Sequence, residues 1–161
     1  MKEDLKTVAT HFLYPSNLFV CRERHLITTI LGSCVGICLF DPRLQQGGMN
    51  HYMLALWNGN GLASPRFGNI ANEKLVHEVV RAGSTKHDLV AKVFGGANQT
   101  SNYNDIGLRN VEVALEFLDA MKIPVAAKNV SGEIGRKIIF DTHTGEVRMK
   151  FVQSQTKVIN P

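Results

Sequence analysis

A cysteine followed by a histidine, with a threonine upstream, could support nucleophilic catalysis in this sequence. Cys34 follows Gly32 and Ser33 and lies between two apolar segments. A sharp turn at these small residues could lift the thiol out of a sheet and aim the backbone N–H groups of Ser33 and Cys34 at one oxyanion. The alternative is that Cys34 is a small buried hydrophobic residue, as most free cysteines are, and the motif alone favours that alternative.

His51 is the candidate base for this thiol. It lies in the strand predicted after the one that follows Cys34, and a polar turn at residues 42–48 separates these two strands. If the two segments pair as a hairpin, thiol and imidazole become neighbours, and an imidazolium would lower the thiol pKa and give a thiolate nucleophile. On spacing alone, a partly buried strand histidine with a satisfied ring is an equally good interpretation.

Thr28 is the candidate for the third group, which would orient the base. It lies an even number of residues before Cys34, so both side chains would face the same side if the strand continued that far. Threonine is common in strands, so the residue type alone supports this role only weakly. Cys34, Cys38 and His51 lack the paired spacing of structural zinc sites, so we expect neither a metal nor a cofactor.

The composition is that of an ordinary globular protein and excludes several functional classes. Hydrophobic residues make up 44% and charged residues 20%, and the net charge is +4 with Lys and Arg scattered, so nucleic-acid binding is not expected. There is no long apolar run for membrane insertion and no apolar signal-peptide region. Three cysteines without an export signal favour reduced thiols and a cytoplasmic location.

The elements that must position the candidate residues form an α+β pattern. Apolar residues at helical spacing predict helices at 69–82 and 108–121. Residues 1–16 are predicted to be irregular or helical, and 97–107 a loop. Short β-branched and aromatic segments predict strands at Leu18–Cys21, His25–Leu31, Val35–Asp41, Met49–Leu56, Leu89–Phe94, Ile123–Val130, Arg136–Phe140 and Glu146–Val152. We expect a single domain over residues 1–161, with sheets at its core and helices outside.

Several blocks of the sequence resemble the CheD family of chemoreceptor glutamine deamidases. The blocks span roughly residues 28–150 and include Leu31–Val35, Cys38–Pro42, Gly48–Leu54, Ala91–Ala97, Ile106–Val111, Gly135–Phe140 and Thr144–Val147. The resemblance implies a cysteine–histidine–threonine triad at Cys34, His51 and Thr28. It also implies a β-sandwich of mixed or antiparallel sheets flanked by helices, similar to bacterial toxin deamidases.

The function implied by this resemblance is deamidation of glutamine side chains on methyl-accepting chemotaxis receptors, which tunes adaptation. The implied partners are the methylation helices of the receptors and, in some bacteria, the CheC phosphatase. A weak methylesterase activity would follow from the same thioester chemistry. Two alternatives stay open: a non-catalytic binding module that engages CheC or receptors, and a cysteine peptidase. Ala55, where the family commonly has proline, leaves open which receptors the loop at 57–69 serves.

Overall fold

The computed structural model describes residues 7–99 and 105–152 of the chain. The helices are α1, Gly68–Arg81, and α2, Ile106–Ala120, and a 3-10 turn lies at Lys86–Asp88. The strands in these residues are β1, Ala9–Phe12; β2, Asn17–Cys21; β3, His25–Leu31; β4, Val35–Asp41; β5, Gln46–His51; β6, Val90–Gly95; β7, Val125–Val130; β8, Arg136–Asp141; and β9, Val147–Phe151.

Two mixed sheets and a layer of helices are stacked on one another. The first sheet has the strand order β1-β3-β8-β9 and the second the order β2-β5-β4-β6-β7. Each sheet combines antiparallel pairs with one parallel pair, β1 with β3 and β6 with β7. Both helices pack against the second sheet. The predicted α+β fold, with mixed sheets flanked by helices, is confirmed.

Strand β4 shows how the sequence builds two cores. Successive side chains of a strand point to opposite faces, and both faces of β4 are buried because a sheet covers one and helices cover the other. Ile37 and Leu39 lie in the helix-side core with residues of α1 and α2. Cys38 faces the other way, into the inter-sheet core, whose buried members are Leu13, Ile27, Leu31, Cys38, Met49, Phe94, Ile138 and Phe140.

The predicted elements agree with the structure except at the first strand, at one glycine pair and at the strand predicted for Met49–Leu56. That strand is β5, which begins at Gln46 and ends at His51, because Met53 and Leu54 bond to the Arg66 carbonyl instead of continuing the hairpin. Strands β3 and β4 have the predicted bounds, and both helices begin and end within about two residues of prediction. The irregular or helical lead-in was wrong for residues 9–12, which form β1 alongside β3. A four-residue strand is too short to show the alternation of apolar and polar residues. Its hydrogen-bond partner is β3, which follows in the sequence only after β2. Residues 1–6 and 100–104 lie outside the described residues.

Gly47 and Gly48 belong to β5, although the sequence predicted that they close the preceding turn. Their neighbours come too close for a side chain: a Cβ at Gly47 would collide with the Leu39 carbonyl, and one at Gly48 with Val20 and the Phe19 carbonyl. Close backbone approach is a common reason for glycine inside a strand. No helix of the described residues is long and apolar enough to cross a membrane.

Candidate active site

Cys34 and His51 lie at the same end of the β4–β5 hairpin. Val35 and Tyr52 exchange two backbone hydrogen bonds across the hairpin, at 3.1 and 3.0 Å. Cys34 and His51 each come one residue earlier, so they occupy diagonal positions on neighbouring strands and share a face. Val35 and Tyr52 lie in the helix-side core, so Cys34 and His51 face the first sheet, where Cys34 packs against the inter-sheet core.

The imidazole of His51 is held by a hydroxyl from the first sheet. His51 and Thr29 are both buried, and Thr29 Oγ1 lies 2.7 Å from His51 Nδ1. The same hydroxyl donates to the Leu13 carbonyl at 2.7 Å. A threonine hydroxyl has one proton, so once it donates to Leu13 it can only accept from His51. The Nδ1 atom therefore carries the ring proton, and Nε2 keeps its lone pair.

The hydroxyl at His51 belongs to Thr29. The sequence predicted Thr28 for this position. β3 ends at Leu31, and the chain turns before it reaches Cys34, so the alternation of faces does not continue from Thr28 to the cysteine. Ile27 and Leu31 point into the inter-sheet core, and Thr29 lies between them on the same face. Thr28 is therefore on the opposite face of the first sheet, away from His51.

The turn that carries Cys34 is fixed by its carbonyl groups. The carbonyls of Gly32, Ser33 and Cys34 accept hydrogen bonds from Ala97 N at 3.0 Å, from the Asn110 side-chain amide at 2.9 Å and from Gly96 N at 2.9 Å. Within the part of the chain that the structure describes, the N–H groups of Ser33 and Cys34 donate to no other residue. These two amides, which the sequence singled out, are therefore available to an anion.

The Gly95–Gly96 pair allows the backbone after β6 to approach the nucleophile turn closely enough to form hydrogen bonds with it. Gly95 and Gly96 have φ values of 107° and 74°, which favour glycine. A Cβ at Gly95 would collide with the Cys34 carbonyl. The pair lies at the end of β6, and the Gly96 N–H together with the close backbone approach at Gly95 holds the nucleophile turn.

Comparison with known proteins agrees with the resemblance found in the sequence blocks. Residues 53–151 match the family model of CheD, described as chemotactic sensory transduction. A protein of Trichlorobacter lovleyi, named "Probable chemoreceptor glutamine deamidase CheD", is 48% identical over 149 residues, which cover 91% of this chain and 92% of that protein. The chain belongs to the CheD family.

A second CheD relative is similarly close in length. The protein of Sulfurimonas denitrificans with the same printed name is 42% identical over 147 residues, which cover 88% of this chain and 94% of that protein. The CheD family model begins at Met53, just beyond His51. The relatives' alignments leave so little of the chain outside that they also include the segment from Thr29 to His51.

Burial sets the charge state of the candidate pair in this CheD family member. Desolvation lowers the pKa of His51 to about 4, because a buried imidazolium loses its hydration. Burial raises the pKa of the Cys34 thiol, and the thiol's own backbone N–H opposes that rise. The predicted lowering of the thiol pKa by an imidazolium was wrong, since the imidazole is neutral at pH 7.

The Nε2 atom of His51 is the ring nitrogen that can accept a proton. It is buried and has no hydrogen-bond partner among the described residues, so the Cys34 thiol does not donate to it here. Nucleophile–base contacts are often long until substrate binds. The arrangement can therefore take a proton from a thiol on a neighbouring strand, provided that the cysteine side chain turns toward the ring.

Sequence reasoning overlooked Thr29, Leu13 and Asn110 in this CheD site. Asn110 carried a usable signal, since it is a polar residue on the same face of α2 as the buried Val111 and Ala114. The Leu13 carbonyl carried none, because any residue provides the same backbone group. In residues 7–99 and 105–152, no group of three His, Cys, Asp or Glu side chains is arranged to hold a metal ion.

Proposed function

We propose that this chain deamidates glutamine side chains on methyl-accepting chemotaxis receptors, converting them to glutamate and so tuning adaptation. The observation that carries the proposal is the state of His51: buried and neutral, with its Nδ1 proton directed at Thr29 and its Nε2 lone pair free. A general base needs this form. The printed names of the relatives support receptor glutamines as the substrate.

In the first half-reaction the thiol of Cys34 attacks the side-chain carboxamide. His51 Nε2 takes the thiol proton as the S–C bond forms, and the carbonyl electrons move to oxygen. The N–H groups of Ser33 and Cys34 bind the resulting oxyanion. The C–N bond then breaks, the imidazolium returns its proton to the departing nitrogen, and ammonia leaves a thioester on Cys34.

Water completes the reaction in the second half. His51 Nε2 takes a proton from the attacking water, a second oxyanion forms at the same N–H groups, and collapse expels the Cys34 sulfur, which recovers the proton. The product is a glutamate side chain. A glutamyl methyl ester would follow the same path with methanol as leaving group, so a weak methylesterase activity belongs to the proposal. Every proton is carried by protein groups or water.

The third residue of the proposed triad is Thr29. The resemblance implies a threonine at position 28, whereas the hydroxyl that accepts the hydrogen bond of the imidazole is that of Thr29. The Leu13 carbonyl fixes the direction of the Thr29 proton, so this pair selects the reactive tautomer of His51. We assign Thr29 to positioning, because its hydroxyl acts through the imidazole and not on the substrate.

The proposed partners are the glutamine-bearing methylation helices of receptors and the CheC phosphatase, both implied by the family resemblance. The free cysteines, Cys21, Cys34 and Cys38, support a reducing compartment such as the cytoplasm. A non-catalytic module that only binds CheC or receptors is the second candidate. The free Nε2 and the available amides beside Cys34 favour catalysis over binding alone.

Ammonia release separates these two functions. The chain is incubated with a receptor cytoplasmic fragment, free ammonia is measured, and mass spectrometry locates converted glutamines. Cys34→Ala should abolish release because no other group can form the thioester. Cys21→Ala, at a half-buried free cysteine on β2, is the matched control and should retain turnover. Binding of the fragment without ammonia release by the wild-type chain would support the binding module instead.

A further inference from the structure

Asn110 is a fully buried side chain of α2 that reaches the backbone on both sides of the site. Its Nδ2 donates to the Ser33 carbonyl and to the Met53 carbonyl, each at 2.9 Å. Its own main-chain carbonyl accepts from the Tyr52 hydroxyl. Both protons of one amide group are therefore used on the turn that carries the nucleophile and on the segment that follows the base.

The bond to Ser33 sets the direction of an N–H group. The Ser33 carbonyl and the Cys34 N–H belong to one planar trans peptide, so they point to opposite sides. The Asn110 amide draws the carbonyl toward α2, and the Cys34 N–H is consequently turned away from α2, to the face that carries the thiol. This N–H donates to no other residue in the described ranges and lies beside its own Sγ.

The bond to Met53 ties the same amide to the opposite strand. In the hairpin register Met53 is directly across from Cys34, because Val35 pairs with Tyr52. Cys34 and Met53 share no backbone hydrogen bond in the described residues, and the Asn110 amide connects the turn at Ser33 to the opposite strand at Met53. The nucleophile turn is thereby fixed relative to the strand that bears His51.

We propose that Asn110 is a positioning residue that aims the Cys34 N–H at the oxyanion formed during acyl transfer. The inference rests on the proposed function and deepens it, because it names the group that pre-organises the anion-binding amide. Without the side-chain amide, the Ser33–Cys34 peptide could rotate, and the oxyanion would lose a donor in the transition state. The thiol and the imidazole would stay where they are.

Two reactions of Cys34 separate this role from a merely structural one. Acylation by p-nitrophenyl acetate passes through a tetrahedral oxyanion, whereas alkylation by iodoacetamide is a direct displacement at carbon and forms none. For Asn110→Ala we expect acylation to fall by about 10²-fold, the loss typical of one oxyanion donor. Alkylation of Cys34 should fall much less than acylation, because it forms no oxyanion and loses only the effect of the Cys34 N–H on the thiol pKa.

Ser84→Ala is the matched control for loss of a buried hydrogen bond. Ser84 is buried, donates to Asp41 at 2.6 Å and accepts from Gln46 at 3.1 Å, at the turn end of the same β4–β5 hairpin. This variant should leave the ratio of acylation to alkylation at the wild-type value. If Asn110→Ala does not fold, as judged by circular dichroism, Asn110→Ser replaces it, because its hydroxyl keeps a single donor.

The outcomes separate this inference from the proposed function. A fall in acylation much larger than the fall in alkylation supports the positioning role, and ammonia release from a receptor fragment should fall with acylation. An equal fall in both rates, or an unchanged ratio, overturns it. A wild-type chain that is acylated yet releases no ammonia from receptor fragments contradicts the proposed function and leaves the role of Asn110 standing. A wild-type Cys34 that p-nitrophenyl acetate does not acylate overturns both.

Discussion

At the scale of single residues, the site depends on which threonine faces the histidine. Thr29 and Thr28 are adjacent on β3 and project to opposite faces of the first sheet, and His51 Nδ1 donates its hydrogen bond to the Thr29 hydroxyl at 2.7 Å. Because the hydroxyl proton is directed at Leu13, this contact selects the tautomer with a free Nε2. Loss of the hydroxyl would release the ring to adopt the other tautomer or another rotamer.

Thr29→Val should therefore lower kcat for deamidation by about 10²-fold, the size of a general-base or orienting contribution. Valine keeps the shape of threonine and removes only the hydroxyl. Thr28→Val is the matched control on the neighbouring position, and it should leave kcat near the wild-type value. Ammonia release measured for both variants at equal concentration tests the assignment, and impairment of Thr28→Val alone would transfer the role back to Thr28.

The buried His51 also couples stability to pH. Its pKa is about 4 in the folded chain and about 6.5 in an unfolded one, so below pH 6.5 the unfolded state binds a proton that the folded state does not. Stability is fully present above that range and is lost as the pH falls toward 4, by roughly 3 kcal/mol. Urea unfolding at several pH values should show this slope, and His51→Gln should flatten it. Identical slopes would mean that the ring is not held neutral.

At the scale of elements, the turn at Cys34 and the glycine pair after β6 form one unit. A Cβ at Gly95 meets the Cys34 carbonyl, and the φ of 107° adds strain. Gly95→Ala should destabilise the chain by roughly 1–3 kcal/mol and displace the nucleophile turn, so acylation of Cys34 should drop. Gly59→Ala is the control, since its φ is 89° with open space around it, and it should cost stability without affecting acylation.

Some elements could be predicted from their own residues, whereas others depend on contacts with distant parts of the chain. Strands β3 and β4 were predictable because turn residues bound each one and apolar residues fill it. β1 was not, since it is stabilised by pairing with β3 and not by its own four residues. Thr28 was chosen over Thr29 because alternation was extended through a turn at Gly32 and Ser33. Cys34 and His51 could be predicted as nucleophile and base because their residue types indicate this chemistry. Leu13 could not, because it takes part only through its backbone carbonyl.

At the scale of the whole molecule, the base and its orienting group come from different sheets. His51 lies on β5 of the second sheet and Thr29 on β3 of the first. The 2.7 Å contact between them therefore depends on how the two sheets pack. The helix-side core lies on the other face of the second sheet and supports this contact only indirectly.

Cavities in the two cores should consequently have unequal effects on turnover. Ile138→Ala in the inter-sheet core and Leu118→Ala in the helix-side core each remove a fully buried side chain, and each should cost about 2–5 kcal/mol. At a temperature where both variants remain folded, Ile138→Ala should lose more kcat, because it loosens the sheets that hold Thr29 against His51. Equal kcat values at matched folded fractions would argue against dependence on sheet packing.

The raised pKa of Cys34 protects its thiol from oxidation by peroxide. Peroxide attacks the thiolate and converts it to sulfenic acid, so susceptibility follows the fraction of thiol that is ionised. Burial keeps that fraction small in the resting chain, and the neutral imidazole of His51 does not increase it. The nucleophile is thus stored in a form that oxidants attack slowly, and it becomes reactive when a carboxamide is in place to receive the sulfur.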